Sequence, residues 1–343
     1  GGTRCEIRLA RGLLADAQPG ALGADPAGVA DRAAERHIAP FWKAAGGDPA
    51  RIVWIAGGEG IKTMARAADL CGRLARLGVD RGTRLVAAGG GTVGDLAGFG
   101  AAILLRGLPL VQVPTTVTAQ VDCAIGGKNG VDLPEGKNLA GTFHHPEEIL
   151  VDPACLDTLD GAALRQGWAE IVKAAILGDG AMWPLLEEAA PDRPPPEEII
   201  ARTIEVKAAR VAADPRDTGV RRELNLGHTL GHALEAATGW TLPHGEAVSI
   251  GIAAAMRLAE AYGVLAERDL PARAAAMLRR FGLPVAAPAG VDAAAVRAAL
   301  GRDKKRSAGR LRWILPVRLG AVAVADARPE IDERVLVPFL GSG

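Results

Sequence analysis

The 343-residue sequence lacks a net charge, since 40 basic residues balance 40 acidic ones. Without excess positive charge, a general nucleic-acid or acidic-membrane binder is not expected. The sequence also lacks any uncharged apolar run near the roughly 20 residues that span a bilayer. Its four cysteines show no CxxC spacing, so neither a disulfide framework nor a thiolate zinc site is indicated. We therefore expect a cytoplasmic protein that binds neither nucleic acid nor membrane.

Lysine and asparagine are also scarce. The chain has eight Lys against 32 Arg, and only three Asn. Because Arg is the usual surface cation here, a Lys is expected more often where a compact charge is needed instead of a planar fork. Seven Lys and all three Asn lie in short segments that contain Gly or His. This clustering predicts a polar site.

The order of apolar runs predicts two domains. Strand and helix patterns alternate over the first 150 residues, as in the βαβ units of a parallel sheet, and helical patterns dominate afterwards. We expect a Rossmann-like α/β nucleotide-binding domain at 1–158 and an α-helical domain that binds metal and substrate at 159–343. The main strands are predicted at 51–58, 83–91 and 108–116, and the main helices at 62–78, 95–107, 161–177, 197–212, 224–237 and 244–262.

A glycine-rich turn follows the second predicted strand. In GGGTVGD (89–95), glycines would let backbone N–H groups approach a phosphate at the positive end of a helix. Gly89, Gly91 and Gly94 fit the pattern GxGxxG, but the acidic residue expected about 20 positions later is absent. The turn alone is a weak signal, because tight packing of a helix on a strand explains it equally well.

Three histidines and one glutamate predict a metal site. His228 and His232 of HTLGH lie on one helical face, and His244 of PHGEAV precedes a second helix. Two imidazoles and one carboxylate would form an open divalent-metal site. Glu170 of GWAEIVK is the best carboxylate, since an unpaired charge in an apolar helix is costly, and Lys173 shares its helical face. The alternative is that the histidines belong to the core and bond backbone carbonyls, which the third His and the stranded carboxylate disfavour.

The segment QVDCAIGGKNG (120–130) and the following Lys137-Asn138 predict an anion pocket. Lys128 stands among glycines near Asp122, and such cations on a flexible backbone suit a tetrahedral or carboxylate anion. Arg221 adds a planar fork that could bind a carboxylate bidentately. The alternative is a solvated loop, but solvated cations in this chain are expected to be Arg.

These segments together resemble the 3-dehydroquinate synthases, which belong to the wider group of sugar-phosphate cyclases. The resemblance covers residues 57 to 305, about 70 % of the chain, in the family's order and spacing, whereas the first 50 residues match poorly. The matching segments are GGGTVGDLAGF, RGLPLVQVPTT, QVDCAIGGKNGVD, GKNLAGTFHHP, GWAEIVK, RRELNLGHTLGHALE, PHGEAV and RDKK.

The resemblance implies a set of site residues. The ligands of a divalent metal, Zn or Co, would be Glu170, His228 and His244. A homodimer is implied, in which Arg106 reaches across the interface to the substrate anion. NAD contacts would fall on Glu59, Lys62, Gly89, Gly90, Gly91, Gly94, Asp95, Thr115, Thr116 and Thr158, with Asp122, Lys128 and Lys137 near both NAD and substrate. Further substrate contacts would fall on Asn138, Lys173, Lys207, Asp217, Arg221, Asn225, His232 and one of Lys304 and Lys305, with Lys305 preferred.

Three positions depart from the family's pattern. Asp217 replaces the usual Glu four residues before the Arg, GGKNG replaces GGKTG, and Cys155 stands where an aromatic residue is frequent. We expect these changes to affect the fine positioning of the substrate more than the type of reaction.

The implied reaction converts a seven-carbon sugar-acid phosphate, 3-deoxy-D-arabino-heptulosonate 7-phosphate, into 3-dehydroquinate and phosphate in the shikimate pathway. NAD would be regenerated in each turnover. The alternatives are a 2-deoxy-scyllo-inosose or epi-valiolone synthase, a metal- and NAD-dependent alcohol dehydrogenase, and a non-catalytic NAD-binding module. The intact GGK and Lys137-Asn138 favour the first reaction over the other cyclases, and the retained metal set disfavours the binding module.

Overall fold

The computed structural model describes residues 4–178, 180–306 and 310–341, without the side chains of 303–306. The chain divides into two compact units, Gly1–Asp160 and Gly161–Gly343. The elements of the first unit are β1 (Glu6–Leu9), β2 (Ala27–Asp31), α1 (Glu35–Ala44), β3 (Ile52–Ile55), α2 (Met64–Arg76), β4 (Leu85–Gly89), α3 (Gly91–Ile103), β5 (Leu110–Pro114), β6 (Lys128–Leu133), β7 (Gly136–Phe143) and β8 (Glu148–Val151). Those of the second are α4 (Gly161–Leu177), α5 (Met182–Glu188), α6 (Glu197–Ala213), α7 (His228–Ala237), α8 (His244–Ala261), α9 (Leu270–Arg280), α10 (Ala293–Arg306), β9 (Arg312–Arg318), β10 (Ala321–Asp326) and α11 (Pro329–Leu340).

A parallel sheet of six strands forms the centre of the first unit, in the order β1-β8-β5-β4-β2-β3. Parallel sheets are covered on both faces, so their strands are apolar throughout. In β4, Leu85 and Ala87 pack with α2 and α3, whereas Val86 and Ala88 pack with α1. The first 50 residues thus supply β1, β2 and the helix that covers one face of the sheet.

The connections of this sheet change direction between two neighbouring strands. From β2 the chain passes through α1 to β3, the neighbour of β2 on the side away from β4. From β4 it passes through α3 to β5, the neighbour of β4 on the side away from β2. Ligands of open α/β sheets bind beyond the carboxyl ends of the strands at such a switch point. The glycine turn after β4 and Asp31 at the end of β2 occupy this place.

The segment from residue 120 to 143 forms more regular structure than a loop. A short π-helical turn, Ala119–Cys123, leads into the antiparallel hairpin β6–β7, which packs on α3. Gly98 of α3 leaves room for the hairpin, because a β-carbon there would overlap the side chain of Asn129. Asn129 itself is buried and donates to the carbonyls of Gly127 and His144 at 3.0 and 2.9 Å. It therefore stabilises the hairpin.

The second unit is mainly helical. Residues of α7, α8, α10, α11 and β9 share one apolar core. A buried polar cluster anchors α11 to α8 and β9, because Asp332 accepts hydrogen bonds from the Tyr262 hydroxyl at 2.6 Å and from Trp313 Nε1 at 3.0 Å. None of the described helices is long and apolar enough to cross a membrane.

Most predicted elements of regular pattern lie within a few residues of their observed bounds. The predicted helix 161–177 coincides with α4, but two helix starts were placed wrongly. α3 begins at Gly91 instead of residue 95, since the glycine turn is itself the first turn of the helix. α7 begins at His228 because the 3₁₀ turn Val220–Asn225 comes first and Gly227, directly before His228, has a left-handed backbone.

Candidate active site

Three helices of the second unit bring the predicted metal ligands together. Glu170 lies in the middle of α4, His228 is the first residue of α7, and His244 is the first residue of α8. Glu170 Oε1 is 3.6 Å from His228 Nε2 and 3.5 Å from His244 Nε2. One ligand atom from each residue lies within 4.8 Å of the others, so a single ion could bind all three atoms.

Two glycines allow the helices that carry these histidines to approach so closely. Gly227 caps α7 with φ 80°, in the left-handed region that glycine tolerates best. Gly251 of α8 packs directly on it, because a β-carbon at Gly251 would overlap the carbonyl oxygen of Gly227. In the segment LNLGHT, the preceding turn therefore ends, α7 starts, and His228 becomes the first residue of the helix.

Charge is concentrated at this point. Glu170 is 1 % exposed and forms an ion pair with Lys173, yet neither carboxylate oxygen has a hydrogen bond of good geometry within the described chain. Burial raises the pKa of Glu170, but Lys173 and the two imidazoles outweigh it and hold the pKa well below its usual range. The carboxylate is thus a buried anion facing two nitrogen donors.

The two histidines differ in their surroundings. Burial, with Lys173 nearby, lowers the pKa of His228 to about 3. Burial also lowers the pKa of His244, but contacts with Glu170 and Glu235 reverse this and raise it to about 10. His228 Nδ1 lies 3.2 Å from the carbonyl of Leu226, so Nε2 is the nitrogen that faces Glu170. A backbone partner on the far nitrogen is the usual arrangement of a metal-binding histidine, so the carbonyl contact does not favour a purely structural role.

Glu235 was missed by the sequence analysis. It is buried in α7, and its Oε1 lies 3.6 Å from His244 Nδ1, opposite the nitrogen that faces Glu170. Together with the exposed His232 it forms a second group of ligand atoms around His244. The available signal was its spacing in HTLGHALE, three residues after His232 and seven after His228, which puts it on the same helical face.

The other predicted substrate residues of the second unit lie in α4, in α6 and in the loop before α7. Lys173 is 3 % exposed in α4, and Lys207 is partly buried in α6. Arg221 is buried, and Asn225 is exposed at the end of the 3₁₀ turn. Asp217 has φ 56°, a left-handed backbone. The side chains of Lys304 and Lys305 lie outside the described residues.

In the first unit, the predicted NAD residues surround the carboxyl ends of β4 and β5. Gly89, Gly90, Gly91 and Gly94 lie at the turn and in the first turn of α3, and the Thr115 amide donates to the carbonyl of Gly89 at 2.9 Å. Packing contributes to the choice of glycine, since a β-carbon at Gly91 would be 2.7 Å from Cys123 Sγ. Thr116 caps the following turn by accepting from the Ala119 amide.

Lys62 links three of the predicted site segments. It is 4 % exposed, and its Nζ donates to Asp95 Oδ2 at 2.8 Å and to Asn138 Oδ1 at 2.6 Å. Burial lowers the pKa of Lys62, but Asp95 outweighs burial and raises it. At the surface nearby, Lys137 pairs with Glu59 at 3.5 Å. Lys62 therefore ties the glycine-turn helix to the hairpin.

The remaining predicted residues of the first unit are accessible. Lys128 is exposed at the start of β6, and Asp122 is partly buried in the π-helical turn. Thr158 contacts His37 Nε2 at 3.1 Å. Arg106 is exposed with φ 69°, directly after Leu105 with φ 52°. Two successive non-glycine residues in the left-handed region carry strain, which is common where a side chain must be presented for a function.

Asp31 is a second residue that the sequence analysis missed. It ends β2 at the switch point, and its Oδ1 accepts from the amides of Ala33 and Gly57 at 3.0 and 3.2 Å. Acidic residues at the end of the strand beside a glycine turn bind the ribose of NAD in Rossmann-type sites. An acidic residue of this kind is expected about 20 residues downstream of the glycines, but here the neighbouring strand lies upstream in the sequence. The signal was AGVAD, an Asp directly after a buried run.

Comparisons with known proteins identify the family of the chain. The 3-dehydroquinate synthase N-terminal family model matches residues 52–166, and the C-terminal family model matches residues 167–306. The 3-dehydroquinate synthase of Symbiobacterium thermophilum is 45 % identical over 284 residues, which cover 81 % of this chain and 79 % of that protein.

Solved structures show the same fold. The 2-epi-5-epi-valiolone synthase of Streptomyces hygroscopicus, with NAD⁺ and Zn²⁺ bound, has a TM-score of 0.88 at 29 % identity. The superposition covers 99 % of this chain and 97 % of the synthase chain. A 2-deoxy-scyllo-inosose synthase complexed with carbaglucose-6-phosphate, NAD⁺ and Co²⁺ has a TM-score of 0.85 at 24 % identity over 98 % and 96 %. The predicted fold class is confirmed, and the chain belongs to the 3-dehydroquinate synthase family of enzymes.

Proposed function

We propose that this enzyme is a 3-dehydroquinate synthase, which converts 3-deoxy-D-arabino-heptulosonate 7-phosphate into 3-dehydroquinate and phosphate. The observation that carries the proposal is the convergence of Glu170, His228 and His244 in a chain whose curated relative, 45 % identical, has this name. One carboxylate and two imidazoles with a neighbouring lysine are suited to binding an ion and a substrate oxygen together.

The donor set fits a divalent metal such as Zn²⁺ or Co²⁺. The buried carboxylate has no hydrogen bond of good geometry among the described residues, and an ion would satisfy it. When bound, the metal supplies polarisation of substrate hydroxyl and carbonyl oxygens, and NAD supplies reversible hydride transfer. Lys173, held against Glu170, keeps a positive charge beside the substrate oxygens.

Cations of the chain would hold the two anionic ends of the substrate. The planar fork of Arg221 suits the carboxylate, and the compact ammonium group of Lys207, in the same unit, suits the phosphate. The ammonium group of Lys128 in the first unit is likewise suited to an anion. His232 is exposed near the metal set, where an imidazole can hold or move a proton on the substrate. Positioning and charge provide most of the rate acceleration in such a reaction.

The first unit would bind NAD at the switch point of its sheet. Amides of the glycine turn at the start of α3 would hold the phosphates, and the Asp31 carboxylate would accept a hydrogen bond from a ribose hydroxyl. Thr115, Thr116 and Thr158 offer hydroxyl groups around the same strand ends. Lys62 stabilises this region by donating hydrogen bonds to Asp95 and Asn138.

We also propose a homodimer in which Arg106 serves the partner's substrate. The strained backbone at Leu105 and Arg106 holds both side chains in exposed positions. Three large apolar residues nearby are 40 to 45 % exposed, namely Ile103, Leu105 and Phe143. Their two segments are neighbours, because His144 Nε2 contacts the carbonyl of Leu108. An exposed apolar patch around a cation is typical of a protein interface.

A valiolone-synthase type of reaction is the second candidate, because a synthase of that type has a TM-score of 0.88 with this chain. The two reactions differ in whether the substrate has a carboxylate. We favour the carboxylate-bearing substrate, because the planar fork of the buried Arg221 matches the geometry of a carboxylate.

The test is phosphate release from the seven-carbon sugar-acid phosphate and from a sugar phosphate without a carboxylate. We expect release only from the first, abolished by chelation and restored by Zn²⁺ or Co²⁺. Trace NAD should suffice, and NADH should not accumulate. Preference for the second substrate would indicate the valiolone type, and stoichiometric NADH would indicate a dehydrogenase.

A further inference from the structure

The end of helix α6 controls the loop that carries Arg221. Asp214 follows the last residue of α6 and is 8 % exposed, and its carboxylate accepts four hydrogen bonds from the loop. Its Oδ1 accepts from the amide and the hydroxyl of Thr218 at 3.0 and 3.3 Å. Its Oδ2 accepts from the amides of Gly219 and Arg221 at 2.6 and 3.2 Å. One carboxylate therefore fixes the backbone of Arg221 and of the turn before it.

These hydrogen bonds affect both the charge and the shape of the loop. Donation from the Thr218 amide, followed by those from Gly219 and Arg221, lowers the pKa of Asp214 to about 2. Inside the loop, Asp217 has a left-handed backbone, and Arg221 Nη1 donates to the carbonyl of Pro215 at 3.0 Å. Both features require the compact turn that the Asp214 carboxylate closes.

Arg210, one turn earlier in α6, holds the loop at a second point. Its Nε donates to Glu223 Oε2 at 3.0 Å, two residues beyond Arg221. Its Nη2 donates to the carbonyl of Leu177 at 2.7 Å, at the end of the helix that contains Glu170. The last turn of α6 therefore holds the loop before Arg221 through Asp214 and after Arg221 through Arg210, which also contacts the end of α4.

We infer that Asp214 and Arg210 are positioning residues that set the place of the Arg221 guanidinium for the substrate anion. The inference rests on the proposed function. Lys207 lies in the same helix, three residues before Arg210, so α6 places one proposed substrate cation directly and a second one through the loop. Small displacements of such a group cost large factors in rate, about 10²-fold for roughly 1 Å.

The test is steady-state kinetics of Asp214→Asn, which keeps the shape of the side chain but leaves one oxygen to accept instead of two. We expect the KM for the sugar-acid phosphate to rise about 10- to 100-fold, with a smaller change in kcat and unchanged metal content. Glu223→Gln weakens only the second anchor through a partly buried loop side chain, and its KM should rise about 3- to 10-fold.

Asp80→Ala and Asp214→Ala form a matched pair. Asp80 also accepts from two backbone amides and a threonine hydroxyl, but in a turn of the first unit before β4. Both variants should lose stability, and only Asp214→Ala should raise KM. Equal KM values for the pair, or an unchanged KM in Asp214→Asn and Glu223→Gln, would overturn the inference.

Arg221→Ala separates failure of the inference from failure of the proposed function. If Arg221→Ala raises KM while the Asp214 variants do not, the positioning role alone is wrong. If Arg221→Ala leaves KM unchanged, Arg221 does not bind the substrate anion, and the assignment made under the proposed function fails together with the inference.

Discussion

Two lysines, Lys62 in the first unit and Lys173 in the second, are almost fully buried but have different surroundings. Lys62 donates to two oxygens from two other elements, Asp95 in α3 and Asn138 in β7. Lys173 pairs with Glu170, whose carboxylate also faces two imidazoles. The first arrangement is a closed set of hydrogen bonds, and the second is a convergence of charges on one point.

The difference separates stability from function. Buried polar groups that satisfy one another stabilise a fold, whereas buried groups that converge without good hydrogen bonds are costly and are found where a ligand completes them. Scarcity of lysine in the sequence drew attention to both residues equally. The partners of each side chain make the distinction: Lys62 links two structural elements, and Lys173 belongs to the candidate metal site.

The largest expected effect comes from removing one member of the convergent set. His244→Ala should prevent tight metal binding and lower kcat/KM by about 10³-fold or more, since metal polarisation contributes several kcal/mol. Circular dichroism should remain native-like, because His244 lies at the start of α8 and not in its core. Metal content by mass spectrometry and phosphate release measure the effect.

His37→Ala is the control for this variant, because His37 lies in the first unit and contacts Thr158. It should retain full metal content. A His244→Ala protein that still holds one equivalent of metal and is fully active would contradict the assignment of the convergent set.

The next effect concerns Lys128, an exposed lysine between glycines at the start of β6. Lys128→Arg keeps the charge but not the size or reach, so kcat/KM should fall about 30- to 1000-fold, or about 2–4 kcal/mol, nearly as much as in Lys128→Ala. NAD affinity should change little. The measurements are steady-state kinetics and a cofactor titration.

Lys43→Arg provides the comparison, since Lys43 is exposed in α1, away from the glycine-rich segments. It should behave as the unmodified enzyme. Near-full activity of Lys128→Arg, or loss of NAD binding together with activity, would show that this position does not hold the substrate anion.

A smaller effect, on stability, tests the closed set around Lys62. Lys62→Met leaves Asp95 without its buried cation, and we expect the free energy of unfolding to fall by about 2 kcal/mol, less than for a fully buried pair because Asp95 is partly exposed. Urea denaturation measures this change. The double variant Lys62→Met/Asp95→Asn should recover part of the loss, since removing both charges leaves no orphan. A double variant less stable than Lys62→Met would contradict this account.

Much of the fold could be predicted because its signals are local. The βαβ pattern and the long apolar helix α4 follow directly from periodicity, and PHGEAV marks the start of α8, whereas the start of α7 was placed four residues too early. What periodicity does not contain is which strands are neighbours. Asp31 was overlooked for this reason, because its place beside the glycine turn depends on the order of β2 and β4.

Composition likewise gave part of the site and also misled in part. Asn129 counted towards the predicted anion pocket with its neighbours, but its side chain is buried and bonds two backbone carbonyls. The sequence does not single out Asp214 and Glu235, since single carboxylates are common and their importance depends on contacts with the following loop or with a second helix. Scarcity of a residue type therefore indicates a structural demand, and only packing shows which demand.

The smallest expected effect extends the comparison to the strand ends of the first unit. Asp31 lies at the carboxyl end of β2, and Asp25 lies before the other end of the same strand, paired with Arg51 at 3.0 Å. Asp31→Asn keeps the shape of the side chain but removes the negative charge that, in the proposed NAD site, would accept a hydrogen bond from a ribose hydroxyl and repel a 2′-phosphate. The dissociation constant for NAD should rise about 5- to 10-fold, about 1 kcal/mol, and the preference over NADP should shrink. Asp25→Asn should leave both affinities unchanged in the same calorimetric titration, and equal behaviour of the two variants would show that the cofactor does not approach the end of β2.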